Sequence, residues 1–149
     1  MPVHQETRLL PYTPAQVFAV VADVERYPEF LPWCVACRVK KRESATSFTA
    51  DLAVGFKMVR EQFTSRVTLD PHKAITVEYL TGPFEHLRNT WGFKAVPGGT
   101  EVSFFLSFEF RSKLLQAVIG ALFEDAVHRM VGAFEARAAK LYAKKAEPA

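Results

Sequence analysis

The sequence predicts an α+β fold: a curved antiparallel sheet of about seven strands wrapped around one long C-terminal helix, with an apolar cavity between them. Three observations carry this. Hydrophobic residues alternate with a period of two through most of residues 34–110. Turn chemistry punctuates that region at Lys41 to Thr46, Asp70-Pro71-His72-Lys73, Thr81-Gly82-Pro83 and Pro97-Gly98-Gly99. From Ser112 to about Lys144 the period becomes helical and no proline interrupts it. A chain of 149 residues is expected to form one domain, residues 1–149, large enough to bury a core without staples.

Taken in order, Val3 to Leu10 reads as a strand ended by Pro11. Thr13 suits an N-cap and Pro14 the first helical position, where a missing N–H costs nothing. Val17, Phe18, Val20, Val21 and Val24 then give a short helix one apolar face. It runs into YPEFLPWC, residues 27–34, where two prolines exclude a regular helix or a central strand.

The remaining strands are predicted at 34–42, 46–54, 57–69, 73–80, 85–96 and 100–110. In the first of these Val35, Cys37 and Val39 alternate with Ala36, Arg38 and Lys40. Phe48, Ala50, Leu52 and Val54 share a face, as do Ile75, Val77 and Tyr79, then Leu87, Trp91 and Phe93. Val102, Phe104, Leu106, Phe108 and Phe110 complete the set. Such patterning marks antiparallel strands with one covered face. In the last segment Leu115, Ile119, Leu122, Ala126, Met130 and Phe134, beside Val118, Phe123, Val127 and Val131, make an apolar face wider than one packed sheet needs. Some 30 helical residues would reach ~45 Å, the width of the whole domain. If the sheet curls, helix and sheet need not meet everywhere. The gap would be lined by Phe, Trp, Leu and Met, and the stiff aromatic loop 27–34 would be its lip.

Catalytic and metal chemistry finds little support. Cys34 and Cys37 form a CxxC, but zinc needs four ligands and there is no second pair. His4, His72, His86 and His128 show no metal-ligand spacing, so the two cysteines read as small core-compatible residues. Glu61 shares the parity of Val59, Phe63 and Val67, which aims a carboxylate inward unless a bulge or an ion pair with Arg60, Arg66 or Arg88 intervenes. His86, Arg88, Thr90 and Lys94 read as a solvated face. No phosphate-binding loop or nucleophile signature is present in the sequence, and no catalytic or metal residue is assigned. The net charge of +3 is only a weak pointer to anionic partners. The N-terminus lacks a signal-peptide pattern and no uncharged stretch reaches the ~18–20 residues of a membrane span. A cytoplasmic protein is expected, with the inner face of the cytoplasmic membrane as a peripheral station.

The strand, the proline-started helix, Tyr27-Pro28-Glu29-Phe30-Leu31-Pro32 with Trp33-Cys34, Gly82-Pro83-Phe84 with Leu87 and Trp91-Gly92-Phe93, and the long last helix resemble the START-like coenzyme Q-binding proteins, often labelled polyketide cyclase/dehydrase-like. The likeness runs from about Pro2 to Tyr142. It implies a helix-grip START-like fold that binds ubiquinone (coenzyme Q) or a similar prenyl lipid and supports respiratory electron transport as a lipid chaperone or carrier. Ubiquinone would be a bound ligand, not a catalytic cofactor. Related bacterial members are described as toxins that bind the large ribosomal subunit, so a translation inhibitor is the alternative, and a cyclase or dehydratase a further one. The cavity and lip are expected from Phe30, Leu31, Pro32, Trp33, Val54, Phe56, Phe63, Phe84, Leu87, Trp91, Phe104, Leu122, Phe123, Val127 and Met130. The quinone head would find a donor near the entrance, such as the Trp33 indole or an Arg or His at the rim. Expected partners are a prenyl quinone, a transient membrane surface met by Phe30, Leu31, Trp33 and Phe105 beside Lys40, Lys41 and Arg42, and the large ribosomal subunit. DNA is not expected.

Overall fold

The computed structural model describes residues 3–56 and 59–146, with the side chains of 56, 59, 121, 122 and 143–146 left out. The elements are β1 (Val3–Leu10), α1 (Pro14–Ala22), a 3-10 helix (Val24–Glu29), β2 (Cys34–Ser44), β3 (Ser47–Phe56), β4 (Val59–Asp70), β5 (Ala74–Thr81), β6 (Phe84–Val96), β7 (Gly99–Phe110) and α2 (Lys113–Ala146). The predicted strand start at Lys57 falls on residues outside those described. The strands form one sheet in the order β1-β7-β6-β5-β4-β3-β2, every pair antiparallel. It is a meander of hairpins whose first strand returns to pair with the last.

Both helices begin where side chains satisfy their free N–H groups. Thr13 Oγ1 accepts the Gln16 N–H at 3.2 Å while Gln16 Oε1 accepts the Thr13 N–H at 3.0 Å, a reciprocal capping box before Pro14. Ser112 Oγ accepts the Leu115 N–H at 3.2 Å, and Gln116 Oε1 reaches back to the Phe110 N–H at 2.8 Å. These two bonds set the angle at which α2 leaves β7.

Two of the register shifts in the sheet alter faces at the interior that simple alternation predicts otherwise. Cys34 pairs with Val54 and Ala36 with Ala53, so Val35 is an extra residue with no partner. Cys34 and Cys37 therefore both turn inward, and Val35, expected inside, is 52% exposed. The same happens in β6, where Phe84 pairs with Phe110 and His86 with Glu109, leaving Glu85 over. Phe84 and Leu87, three residues apart, thereby line one interior. In β1 the polarity is inverted: Val3 and Leu9 are exposed at 47% and 64%. His4, Glu6 and Arg8 face α2 instead, where Arg8 Nη1 meets Glu135 Oε1 at 2.7 Å and His4 Nε2 meets Glu6 Oε1 at 2.6 Å.

The buried core divides into two clusters. One joins Val17, Val20 and Val21 of α1 to Leu10, Trp91, Phe93, Val102, Phe104 and Phe134. The other is built on Phe63, Phe84 and Phe110, with Phe84 stacked on Phe110 at 4.7 Å between centroids and Phe63 edge-on to Phe84 at 5.2 Å. Between the clusters the sheet presents an apolar wall beneath α2.

The β6–β7 hairpin gives a paired test of this geometry. Gly98 has φ +90° and open space where a methyl group would project, whereas Gly99 has φ +156° and a Cβ there would overlap the Leu10 carbonyl. Gly98→Ala should lower stability by about 1 kcal/mol through the left-handed backbone alone. Gly99→Ala should lower it at least twice as much, because β1 must also move. Thermal unfolding of the two variants checks the ranking.

Candidate functional site

Between the two aromatic clusters, under α2, lies a cavity of about 340 Å³. A single water needs roughly 10–15 Å³ on the same measure, and ligand pockets commonly begin near 300 Å³. Its floor comes from alternate residues of β3 to β7, including Ala50, Leu52, Val54, Phe63, Val67, Ile75, Val77, Leu87, Trp91, Leu106 and Phe108. The roof is one face of α2, with Ile119, Phe123, Val127, Met130 and Phe134. The strands present a largely apolar surface because most of their inward positions are β-branched, leucine or aromatic, while the helix is too narrow to fill the hollow they make.

The lip is pinned from several sides. The Tyr27 hydroxyl donates to the Val21 carbonyl, and burial pushes the phenol well above its ordinary range, so it stays protonated. The Tyr27 carbonyl accepts from the Phe30 and Leu31 N–H groups at 3.1 and 2.8 Å. Arg137 on α2 reaches Glu29 Oε1 at 3.2 Å and lies 5.1 Å from the centre of the Phe30 ring. At the other end Trp33 adopts φ 67°, a left-handed backbone that bulky residues avoid, and its carbonyl accepts the Gly55 N–H at 2.9 Å. The lip is thus a strap between α2 and β3, stiffened by Pro28 and Pro32.

Of the residues expected at the site, Leu31, Pro32, Trp33, Val54, Phe63, Phe84, Leu87, Trp91, Phe123, Val127 and Met130 line the cavity. Phe30 does not: its ring turns away to pack edge-on to Phe134 at 5.4 Å, where Arg137 covers it, so it anchors the lip. Phe104 does not either: it is 2% exposed, packed edge-on to Trp91 at 4.7 Å beneath α1. The side chains of Phe56 and Leu122 lie outside those described. Cys34, Cys37, Ser65 and Asn89 also line the cavity, and the sequence reading does not place them there. The signal exists for two of them, since Ser65 shares the parity of Phe63 and Val67, and Asn89 that of Leu87 and Trp91.

Two carboxylates reach the wall, Glu61 and Asp125. Asp125 is 67% exposed and paired with Arg129 at 3.1 Å, which puts it at the mouth. Among the described residues no three His, Cys, Asp or Glu side chains are grouped to hold a metal ion. Both cysteines are free; burial pushes the Cys34 thiol up to about 11 and, with the neighbouring Cys34 adding to it, the Cys37 thiol up to about 12. Such thiols are neutral at physiological pH and weakly nucleophilic.

A concave antiparallel sheet closed by one C-terminal helix over an apolar chamber defines the START-like, helix-grip class. Residues 10–135 match the family described as polyketide cyclase/dehydrase and lipid transport, and the chain belongs to that family. It is similar to the ribosome association toxin RatA of Pseudomonas aeruginosa, 40% identical over 139 residues that cover 93% of this chain and 96% of that protein. It is also similar to the mitochondrial coenzyme Q-binding protein COQ10 homolog B of Xenopus laevis, 31% identical over 150 residues that cover 97% of this chain and 61% of that protein. Among solved structures, a START superfamily protein from Mycobacterium smegmatis superposes with a TM-score of 0.79 at 17% identity, over 93% of this chain and 98% of that one, a likeness of fold alone. These relatives are named for binding or toxin roles, whereas the family name also includes cyclases and dehydrases.

The half-buried thiols give a direct check on the closed state of the site. Burial that lifts the Cys34 thiol from 9.0 to about 11 cuts its thiolate fraction at pH 8 about a hundredfold. Iodoacetamide should therefore label Cys34 in the folded protein about a hundredfold more slowly than in urea, with the gap closing as pH rises through 11. Equal rates in the two states would mean the wall is open to solvent.

Proposed function

We propose that this protein binds ubiquinone or a similar prenyl lipid in the cavity under α2 and carries it sheltered from water, in support of respiratory electron transport. The observation that carries this is the chamber itself: about 340 Å³ with a wall that is apolar almost throughout. An isoprenoid tail gains ~25 cal/mol for each Å² it removes from water, so a few buried units suffice for retention. A rigid lip lowers the entropy lost on closing over such a ligand. Kinship with a protein named for coenzyme Q binding agrees with this ligand class, and a wall of this kind serves binding better than acid–base chemistry, so no enzymatic role is proposed.

Loading a lipid requires contact with a bilayer. Val35 beside the lip and Leu114 and Val118 in the first turns of α2 are exposed at 52%, 74% and 41%. Lys40, Lys41 and Arg42 lie further along β2, the exposed edge of the sheet. Apolar tips with basic neighbours suit an anionic membrane surface at the cytoplasmic face. Phe105, expected to contribute, is only half-exposed, set between Gln5 of β1 and Thr90 of β6 on the outer face.

A second reading is association with the large ribosomal subunit. It is favoured by the relatives named ribosome association toxin, and the same basic run on β2 would meet RNA phosphates.

Organic extraction of purified protein followed by mass spectrometry tests the first reading. A prenyl quinone near one per chain is expected, and Leu87→Lys or Met130→Lys should lower it at least tenfold with the circular dichroism spectrum retained. Extracts without prenyl lipid from cells rich in quinone would overturn it. For the second reading, salt-sensitive co-sedimentation with large subunits should be lost in the triple variant Lys40→Glu, Lys41→Glu, Arg42→Glu, and co-sedimentation that survives this charge reversal would overturn it.

A further inference from the structure

We propose that Ser65 on β4 and Asn89 on β6 form a polar end station inside the cavity that receives the head of a para-quinone or its hydroquinone, so that the ligand enters head first. This rests on reading the cavity as a prenyl-lipid site. It reverses the arrangement in which the head would stay at the rim beside Trp33.

Ser65 is 5% exposed and sits on the inward face of β4 between Phe63 and Val67. Its hydroxyl oxygen is the one buried side-chain oxygen or nitrogen without a hydrogen-bond partner among the described residues. A buried hydroxyl left unpaired costs free energy that alanine in its place would avoid. Its presence between Phe63 and Val67, with no protein group bonded to it, points to a partner that the chain does not supply. Asn89 stands likewise between Leu87 and Trp91 on the inward face of β6. One hydrogen of its Nδ2 is committed to the Phe105 carbonyl at 2.9 Å, which fixes the amide and leaves its second N–H and its carbonyl oxygen for another group.

The placement of the two selects the ligand's shape. β5 runs between them, and Ser65 pairs with its Tyr79 while Asn89 pairs with its Val77, so their backbones stand about 12 Å apart on a diagonal across the sheet. A molecule that satisfies both must carry oxygens on opposite edges of a ring-sized body. A hydrocarbon can use neither, and a fatty acid has one polar end for two stations and would bury its charge without a cation. Serine and asparagine each donate and accept, so they can donate to quinone carbonyls or accept from hydroquinone hydroxyls. The station therefore tolerates both redox states. Leu31 and Pro32 at the lip offer only apolar contact, which suits the emerging tail.

The two tryptophans of the chain report the orientation. Trp33 lies on the lip and Trp91 lies in the cavity two residues from Asn89. Decylubiquinone is titrated into delipidated protein and its quenching of indole fluorescence is read. The Trp33→Phe variant, which keeps Trp91, should be quenched at least threefold more than the Trp91→Phe variant; the opposite ranking would overturn head-first entry. If Trp91→Phe does not fold, the comparison of unsubstituted protein with Trp33→Phe serves: quenching that survives loss of Trp33 supports the proposal, and quenching that disappears with it sinks it. Ser65→Ala should weaken decylubiquinone binding about fivefold while leaving dodecylbenzene, which has no oxygen, within twofold. Equal weakening of both probes would reduce Ser65 to a packing residue. Unsubstituted protein that binds dodecylbenzene but no decylubiquinone would instead refute the quinone reading, and the head station with it.

Discussion

A seven-stranded antiparallel sheet spans six interstrand spacings, about 29 Å, whereas a helix with its side chains is about 10 Å wide. α2 is long enough, at 34 residues and so about 51 Å, to cross the whole sheet, but it can cover only part of its breadth. The charged seam along β1, where Arg8 meets Glu135, fixes α2 near the β1 side, and α1 fills the space beneath it there. Over β3 to β6 no second helix follows. The hollow is a consequence of this width mismatch, and the residues that line it are those a core would use because the strands cannot distinguish a packed interior from an unfilled one.

An unfilled interior is costly, since wall atoms lose contacts that a packed core would give them. The two aromatic clusters confine the hollow to the middle by closing its ends with edge-to-face and stacked rings. The lip confines it further. Tyr27 is partly buried and bonded to Val21, Phe30 is clamped between Phe134 and Arg137, and Trp33 is held in a left-handed backbone by its bond to Gly55. A strained, multiply pinned strap beside an apolar chamber makes sense where something occupies the chamber, because occupancy adds binding free energy to a fold that would otherwise carry the void alone.

Much of this is legible in the sequence because period-two and period-3.6 patterns are set by which side chains touch apolar surface. The six strands after residue 34 and the final helix emerge from that signal, whereas β1 is marked by its end at Pro11 and the start of α1 by Thr13 and Pro14. What alternation cannot show is a one-residue bulge. Val35 and Glu85 each shift the parity of the residues after them, which exposes the first and brings Phe84 onto the same interior as Leu87. Phe30 and Phe104 carry the same aromatic signal as the wall residues, and only tertiary placement tells an anchor or a core ring from a lining one. Ser65 and Asn89 are hidden for the opposite reason: a polar residue at an inward position reads as an interruption until the surrounding wall is seen to leave Ser65 without a partner and Asn89 with only the Phe105 carbonyl.

The emptiness of the hollow is best tested by trying to fill it. Val77 stands half-buried on the cavity floor, midway across the sheet, and phenylalanine suits a strand. In lipid-free protein Val77→Phe should leave the melting temperature unchanged or raise it, because the added ring enters vacant space and gains contacts. If the interior were packed solid, the same ring would force neighbours aside at about 1–3 kcal/mol and the melting temperature would fall by several degrees.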